Sequence, residues 1–413
     1  MSLERLAILG GPPAFDPPVP LYEAPRPDAE SLLPRIASAL SSGVLTKGPA
    51  VSAFEASLAE ATGAAHAVAT SSGLSALTIV LQALRLEGEV VVPAYLFPPV
   101  AQALLSVGLT PRPADIDRDS WNLDPAVAEA AIGPRTSAIL AVHTSGFPAP
   151  APALESLAAR RRVSLVFDAA HALGARIGER CVGTFGVAEV FSFTPSKLVS
   201  SGEGGAVTTA DGRLAAEIEA GRNYGRSRGG DWTGRGLSAR LPEVSALVAR
   251  DALGRLDEEI ARRARVAKAY QDALAGVPGI RFQLALRGTS PVFRDVSICV
   301  DPAEFGVGRD ALRAVLATDG VETGAYFFPA LPDLPLARRF NVRDNATTGS
   351  GAAFPIARAV AAHVMNLPIG AGVEAETARA IASLITTAQS ESARLAARFR
   401  TVSAPRLPAP GAP

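Results

Sequence analysis

The chain has 413 residues, of which 48% are hydrophobic, so it can bury a large core and is long enough for two domains. Its 40 basic and 40 acidic residues balance, which argues against nucleic acid or an anionic membrane as a partner. Two distant cysteines and four scattered histidines predict no metal site and a reducing compartment, the cytoplasm. No apolar stretch is long enough to span a membrane.

The first half of the chain alternates between two patterns. A proline-rich segment at 10–30 predicts extended backbone on the surface, and helices are expected at 31–40 and 50–61. Short apolar runs then alternate with helical patterns, which is typical of parallel βαβ units in a sheet covered on both faces. The predicted strands are 66–70, 90–93, 112–116, 138–142 and 164–167, and the predicted helices are 74–84, 97–107, 126–131 and 152–161.

The second half changes character after one long predicted helix, 241–274, which Pro278 and Gly279 stop. A strand at 296–300 and helices at 310–319 and 374–389 follow. The change predicts a large domain, 1–274, that includes the N-terminal arm and the long helix. It also predicts a smaller C-terminal α+β domain, 275–413, with a disordered tail from about residue 404.

A possible phosphate site lies where the first predicted strand meets its helix. The segment Ser71-Ser72-Gly73-Leu74-Ser75 joins them through small residues, which let backbone amides approach an anion at the helix N-terminus. Ser75 adds a hydroxyl donor. An ordinary strand–turn–helix explains the segment equally well by itself. No Walker lysine follows, which argues against nucleoside triphosphates.

Two charged residues each follow a predicted buried strand. Asp168 ends the strand at 164–167, and Lys197 follows the apolar run at 190–193 through Thr-Pro-Ser. Open α/β sheets bind their ligands at such strand ends. Only Lys47, Lys197 and Lys268 are lysines among the 40 basic residues, so lysine at 197 is favoured for the nucleophilic chemistry of its amine. The alternative for Asp168 is a helix N-cap, and the alternative for Lys197 is an ordinary charged residue in a turn.

A phosphate cradle, a strand-end carboxylate and a strand-end lysine together meet the needs of pyridoxal phosphate. The cradle binds the phosphate, the carboxylate keeps the pyridinium nitrogen protonated, and the lysine binds the aldehyde carbon. An aromatic side chain is then expected against the face of the cofactor. Tyr95 and Phe97, which follow the strand at 90–93, are the two candidates.

Eight segments resemble the DegT/StrS-type sugar aminotransferases, pyridoxal phosphate enzymes of fold type I. They are GVLTKGP, TSSGLSAL, VVPAYLFPPV, DIDRDSWNLDP, FDAAHALGA, SFTPSKLVSSGEGGAV, RLDEEIARRARVAKAY and VMNLPIGAG. The resemblance covers roughly residues 6–386. It implies an α/β fold with a mixed, mostly parallel sheet and a smaller C-terminal domain. It also implies a homodimer with its active sites at the subunit interface.

The resemblance assigns roles to individual residues. Lys197 would form the covalent link to pyridoxal phosphate, Asp168 would pair with the ring nitrogen, and His171 would contact the phenolic oxygen. The remaining cofactor contacts would come from Gly73, Leu74, Ser75, Phe97, Ser192 and, from the other subunit, Ser238.

The chain departs from the family pattern at four places. Leu74 replaces the usual threonine of the phosphate turn, and Ser238 replaces the asparagine that reaches across the dimer. Phe293 stands where many members have a histidine, and another family histidine is missing beside the aromatic loop 326–329. These changes predict intact cofactor machinery and an unusual substrate pocket.

The expected activity is ping-pong transamination from an amino-acid donor, glutamate or glutamine, to a keto-sugar, a nucleotide-linked keto-sugar or a keto-cyclitol. Lys197 would act as acid and base for the proton shift. A dehydratase of the same family is an alternative, but there histidine typically replaces the lysine. A regulatory or binding protein without turnover is the other alternative, and a missing cofactor absorbance would favour it.

Overall fold

The computed structural model describes residues 5–232, 234–340 and 353–401. Its thirteen strands are β1 (His66–Thr70), β2 (Glu89–Pro93), β3 (Thr110–Ala114), β4 (Thr136–Val142), β5 (Ser164–Asp168), β6 (Arg176–Ile177), β7 (Arg180–Cys181), β8 (Ala188–Ser192), β9 (Gly205–Thr209), β10 (Ile280–Phe282), β11 (Thr289–Ser290), β12 (Val296–Val300) and β13 (Val364–Leu367). Among the described residues, no helix is long and apolar enough to cross a membrane.

Fourteen α-helices are described. They are α1 (Ala29–Ser42), α2 (Pro49–Thr62), α3 (Gly73–Ala83), α4 (Pro98–Ser106), α5 (Pro125–Ala131), α6 (Ala151–Arg161), α7 (Gly212–Gly221), α8 (Glu243–Gly254), α9 (Leu256–Ala273), α10 (Pro302–Phe305), α11 (Arg309–Thr318), α12 (Pro355–His363), α13 (Ala375–Ser390) and α14 (Ser392–Thr401). Proline occupies the first turn of α2, α4 and α5, where its missing N–H costs no helical hydrogen bond.

Seven strands form the main sheet in the order β1-β9-β8-β5-β4-β2-β3. Neighbouring strands from β8 to β3 are parallel, whereas β9 runs antiparallel to both β1 and β8. Successive strand residues pack on opposite faces: Val90 and Val92 contact α3 and α4, while Val91 lies with α5 and α6. The predicted mixed, mostly parallel sheet covered by helices is therefore present.

A smaller antiparallel sheet, β10-β12-β13, packs with α11, α13 and the end of α9 in a separate hydrophobic cluster. Leu6 and Ile8 of the N-terminal arm are buried in that cluster, and Val19 pairs with Val321. The proposed boundary after residue 274 stays a prediction.

The prediction of one helix over residues 241–274 is wrong. The chain forms α8 and α9, which are separated at Arg255. The Arg255 amide bonds back to Ala252 and Leu253 in a tightened turn that ends α8. A further helix, α14, follows the one expected to be last, and the predicted disordered tail lies outside the described residues.

Candidate active site

An open cavity lies at the carboxyl ends of β5 and β8. The fold accounts for this position because parallel strands direct their carboxyl ends to one edge of a sheet. Of the nine predicted site residues, seven line the cavity: Gly73, Leu74, Phe97, Asp168, His171, Ser192 and Lys197.

Asp168 is the last residue of β5, and both its backbone carbonyl and its side chain accept hydrogen bonds. Its carbonyl accepts from the amide of His143 at 3.0 Å, and its Oδ1 accepts from the amide of Ala170 at 3.0 Å. Burial raises the pKa of the Asp168 carboxyl, and this rise is opposed by the Ala170 amide and the positive charge of Lys197. A cationic partner is therefore needed to keep this carboxylate ionised.

Lys197 sits in a turn after β8, where its amide bonds to the carbonyl of Thr194 at 3.0 Å. The residue is 8% exposed. Burial lowers the pKa of the Lys197 amine to about 7, helped by the charge of Arg294 and opposed by that of Asp168. A substantial fraction of the amine is thus neutral, which is the state that a nucleophile or a base requires.

His171 carries a buried Nδ1 that has no hydrogen-bond partner among the described residues. Burial and the nearby charges of Lys197 and Arg294 hold the pKa of His171 well below its usual value. Its ring lies 6.2 Å from that of Phe327, nearly parallel to it. A neutral imidazole with an unsatisfied nitrogen beside the cavity is suited to bind a polar atom of a ligand.

The turn predicted to bind phosphate, Ser71 to Ser75, leads into α3. Ser72 caps the helix by accepting from the amide of Ser75 at 3.0 Å, and the Ser75 hydroxyl lies 3.0 Å from that of Ser71. A Cβ on Gly73 would meet the Cβ of Ser192 at 2.9 Å, so only glycine brings the helix N-terminus this close to β8. Ser75, in the first turn of α3, is not one of the residues that line the cavity.

Aromatic rings form one wall. Phe97, the residue before α4, lies 5.8 Å from Phe327 between ring centres. Tyr95, the other predicted candidate, is buried beneath this wall, where its hydroxyl accepts from the amide of Phe327 at 3.1 Å and donates to the carbonyl of Tyr326. The sequence showed this aromatic loop but not its place at the cavity.

Ser238 does not lie at the cavity. It is exposed, and its hydroxyl donates to Tyr224 Oη at 3.0 Å. Arg240 joins the same group: its guanidinium donates to Asn223 Oδ1 at 2.8 Å and to Tyr224 Oη at 3.0 Å. The role of Ser238 in the other subunit's site remains a prediction.

Sequence reasoning missed Arg294, which also lines the cavity. Its guanidinium donates to both oxygens of Asp295, at 2.6 and 2.8 Å, and to Tyr22 Oη at 2.7 Å. The only sequence signal is an Arg-Asp pair in the apolar run before β12. The preceding residue, Phe293, is the one noted as a departure from the family pattern. Its ring lies 5.3 Å from that of Phe147 between ring centres, and it is not among the cavity-lining residues.

A family profile described as the DegT/DnrJ/EryC1/StrS aminotransferase family matches residues 27–386. The chain belongs to this family. The family assignment confirms the resemblance deduced from the motifs and identifies the protein as an aminotransferase.

The chain is 34% identical to dTDP-3-amino-3,4,6-trideoxy-alpha-D-glucose transaminase of Streptomyces venezuelae, over 86% of this chain and 90% of that protein. It is 40% identical to the erythromycin biosynthesis sensory transduction protein EryC1 of Saccharopolyspora erythraea, over 82% of this chain and 90% of that protein. A crystal structure of DesI in the presence of its TDP-sugar product matches with a TM-score of 0.88 and 38% identity, covering 97% of this chain and all of that one. The predicted fold type I architecture is confirmed.

Proposed function

We propose that this aminotransferase uses pyridoxal phosphate to transfer an amino group from glutamate or glutamine to the keto group of a nucleotide-linked sugar, in amino-sugar biosynthesis. The observation that carries the proposal is one cavity that contains a buried lysine, a strand-end carboxylate and a glycine-tight helix N-terminus. The transaminase activity of the Streptomyces venezuelae relative on a dTDP-linked sugar supports this acceptor class.

The residues present fit the cofactor. Gly73 and the first turn of α3 offer backbone amides to a phosphate, and Ser192 adds a hydroxyl at the same place. The unsatisfied Nδ1 of His171 is available to a ring oxygen, and Phe97 offers an aromatic face. Asp168, whose carboxylate requires a cation, is suited to a protonated ring nitrogen.

Once bound, the cofactor supplies an electron sink that makes a substrate carbon–hydrogen bond breakable. Asp168 keeps a proton on the ring nitrogen by pairing with it, which maintains that sink. With the cofactor bound, Lys197 would provide a neutral Nζ that takes the proton from one carbon and returns it at another. Phe97 and Phe327 form an apolar wall on one side of the cavity in which this transfer would occur.

The two alternatives can be weighed against the site. A dehydratase is disfavoured because the turn after β8 carries Lys197, where the dehydratases of the family typically have histidine. A regulatory function is favoured by one observation, the name of the relative EryC1 as a sensory transduction protein. We retain it as the second candidate.

The test uses purified protein incubated with pyridoxal phosphate, glutamate or glutamine, and a panel of nucleotide-linked keto-sugars. The expected result is a cofactor absorbance that the amino donor bleaches and the correct keto-sugar restores, with an aminated sugar detected by mass spectrometry. A protein that binds the cofactor and is not bleached by either donor would support the regulatory candidate and contradict the proposed one.

The proposal includes a cytoplasmic homodimer in which Ser238 of one subunit reaches the cofactor phosphate of the other. The support for this part is that Tyr224 and Ser238 are exposed and, with the half-buried Arg240, form one hydrogen-bonded cluster at the surface. Inactive Lys197→Ala chains mixed with chains carrying Ser238→Ala and Arg240→Ala should regain activity, because one site of each heterodimer is whole. Exchange of subunits without any return of activity would contradict the shared site.

A further inference from the structure

A histidine and a glutamate are fully buried next to the strand that ends in Asp168. His143 follows β4 and Glu189 belongs to β8, and neither residue is exposed to solvent. Burying such groups is costly unless their polar atoms have partners, and a well-packed apolar pair often stabilises a fold as well as a buried polar pair does. Their presence requires an explanation beyond fold stability.

The pair lies on the face of the sheet that points away from the cavity. Val190 lines the cavity, and successive strand residues point to opposite faces, so Glu189 points to the other face. There it pairs in register with Phe167 of β5, and the His143 ring stacks on Phe167, 4.9 Å between ring centres and 10° from parallel. The pair therefore lies behind the end of β5.

The polar atoms of both side chains all have partners. His143 Nδ1 accepts from the amide of Ala149 at 2.9 Å, which places the ring proton on Nε2. Nε2 donates it to Glu189 Oε2 at 3.2 Å. Glu189 Oε1 accepts from the amides of Gly183 and Phe185, at 2.7 Å each. Because a backbone amide can only donate, the direction of each bond is fixed, and a fully satisfied buried network of this kind is rigid.

The network joins the three strands around Asp168. The His143 amide donates to the Asp168 carbonyl at 3.0 Å, and the Ala169 amide donates to the Val190 carbonyl at 2.8 Å. Asp168 is thus tied to the end of β4 directly and to β8 through its neighbour. The bond between the His143 ring and Glu189 connects β4 to β8 behind it.

We propose that His143 and Glu189 are positioning residues for Asp168: their bond fixes the ends of β4 and β8 relative to each other, so that the carboxylate keeps one place in the cavity. This inference rests on the proposed function, in which Asp168 pairs with the ring nitrogen of pyridoxal phosphate. Such a pairing group must be held closely, since a displacement of about 1 Å can slow catalysis roughly a hundredfold.

The experiment compares variants that break the bond between His143 and Glu189 with one that keeps it. His143→Asn keeps an acceptor near Nδ1 and loses the donor to Glu189, whereas His143→Gln keeps a donor near Nε2 and loses the acceptor for Ala149. Each leaves one buried group without a partner. Glu189→Gln also breaks the bond, because either orientation of its amide sets its N–H groups against other donors.

Glu89→Gln is the control. Glu89 is likewise a buried glutamate of the main sheet, but it lies at the start of β2, at the edge opposite the cavity, where it bonds to Arg112 and Arg135. Its loss of charge should affect stability without reaching Asp168.

The first readout is the half-reaction of the holoenzyme with L-glutamate or L-glutamine in single turnovers, followed by the bleaching of the cofactor absorbance. His143→Asn and Glu189→Gln should slow the maximal rate roughly 10- to 100-fold and leave unchanged the donor concentration that gives half of that rate. His143→Gln should slow it by a smaller factor of about 2 to 10. Glu89→Gln should match the wild type.

The second readout is the pH midpoint for attachment of pyridoxal phosphate to the apoenzyme, which requires no amino donor. The charges that act on Lys197 are those of Arg294, Asp168 and Asp295, so His143 can move this midpoint only through them. His143→Asn and Glu189→Gln should lower it by up to about one pH unit, because a carboxylate no longer held near the amine favours the protonated amine less. His143→Gln and Glu89→Gln should keep the wild-type midpoint.

Wild-type rates in both bond-breaking variants would overturn the assignment, as would equal losses in His143→Asn and His143→Gln. Slower rates with an unchanged midpoint would overturn it too, because Asp168 would then not have moved. If one bond-breaking variant does not fold, the other decides; if neither folds, the pair serves the fold and the assignment is wrong. A wild-type holoenzyme that neither donor bleaches would instead refute the proposed function, and the midpoints would still show whether the pair holds Asp168 in place.

Discussion

The lowered pKa of Lys197 leads to a prediction about how the apoenzyme takes up pyridoxal phosphate. The amine must be neutral to attack the aldehyde. With a pKa of about 7 instead of 10.5, about half of the Lys197 amines are neutral at pH 7, roughly a thousandfold more than for an exposed lysine. The rate of covalent attachment should therefore rise with pH and level off above a midpoint near 7.

Two substitutions should move that midpoint in opposite directions. Arg294 lowers the pKa of Lys197 because like charges disfavour the protonated amine, whereas Asp168 raises it. Arg294→Gln should therefore shift the profile to higher pH, and Asp168→Asn should shift it to lower pH. Each shift is expected to be about one pH unit, the size of an effect from a nearby charge.

The assay is stopped-flow absorbance of apoenzyme mixed with pyridoxal phosphate between pH 5 and 10. The same cofactor reacting with N-acetyl-lysine in the same buffers corrects for the cofactor's own titration. A wild-type midpoint near 10 would refute the argument that burial and Arg294 deprotonate Lys197. Shifts in the same direction for both substitutions would show that the profile does not report on the local charges.

Three further predictions concern the same cavity. Lys197→Ala should abolish the covalent cofactor absorbance and transamination, and a cofactor link that borohydride still traps in this variant would identify Lys47 or Lys268 as the true carrier. Asp168→Asn should retain the cofactor but slow turnover by a factor on the order of a hundred or more, because a neutral amide cannot keep the ring nitrogen protonated; near-normal turnover would remove Asp168 from this role. Gly73→Ala should weaken cofactor binding roughly tenfold in equilibrium dialysis, because the new Cβ would lie 2.9 Å from that of Ser192. Gly254→Ala, where a Cβ meets nothing within 4 Å, is its control and should bind normally.

The sequence alone determined the parts of this protein that depend on local pattern. Apolar runs alternating with helical segments predicted the parallel strands of the main sheet, with β3 two residues earlier than expected, because strands buried on both faces are mostly apolar. The same pattern placed Asp168 and Lys197 at strand ends, and parallel strand ends share one edge of a sheet. Seven proposed residues thus meet at one cavity.

The break between α8 and α9 was missed because helical periodicity continues across Arg255, and only the non-helical backbone of Arg255 shows the break. Tertiary structure alone placed Arg294 and Phe327 at the cavity. Arg294 and Phe327 lie about 100 to 130 residues beyond Lys197, in segments without a motif. Phe327, for example, reaches the cavity because its loop packs against Tyr95, which follows β2. Tyr22 arrives from the opposite end of the chain because the N-terminal arm packs on that smaller sheet. Such contacts depend on how separately formed layers pack, and no local pattern encodes that arrangement.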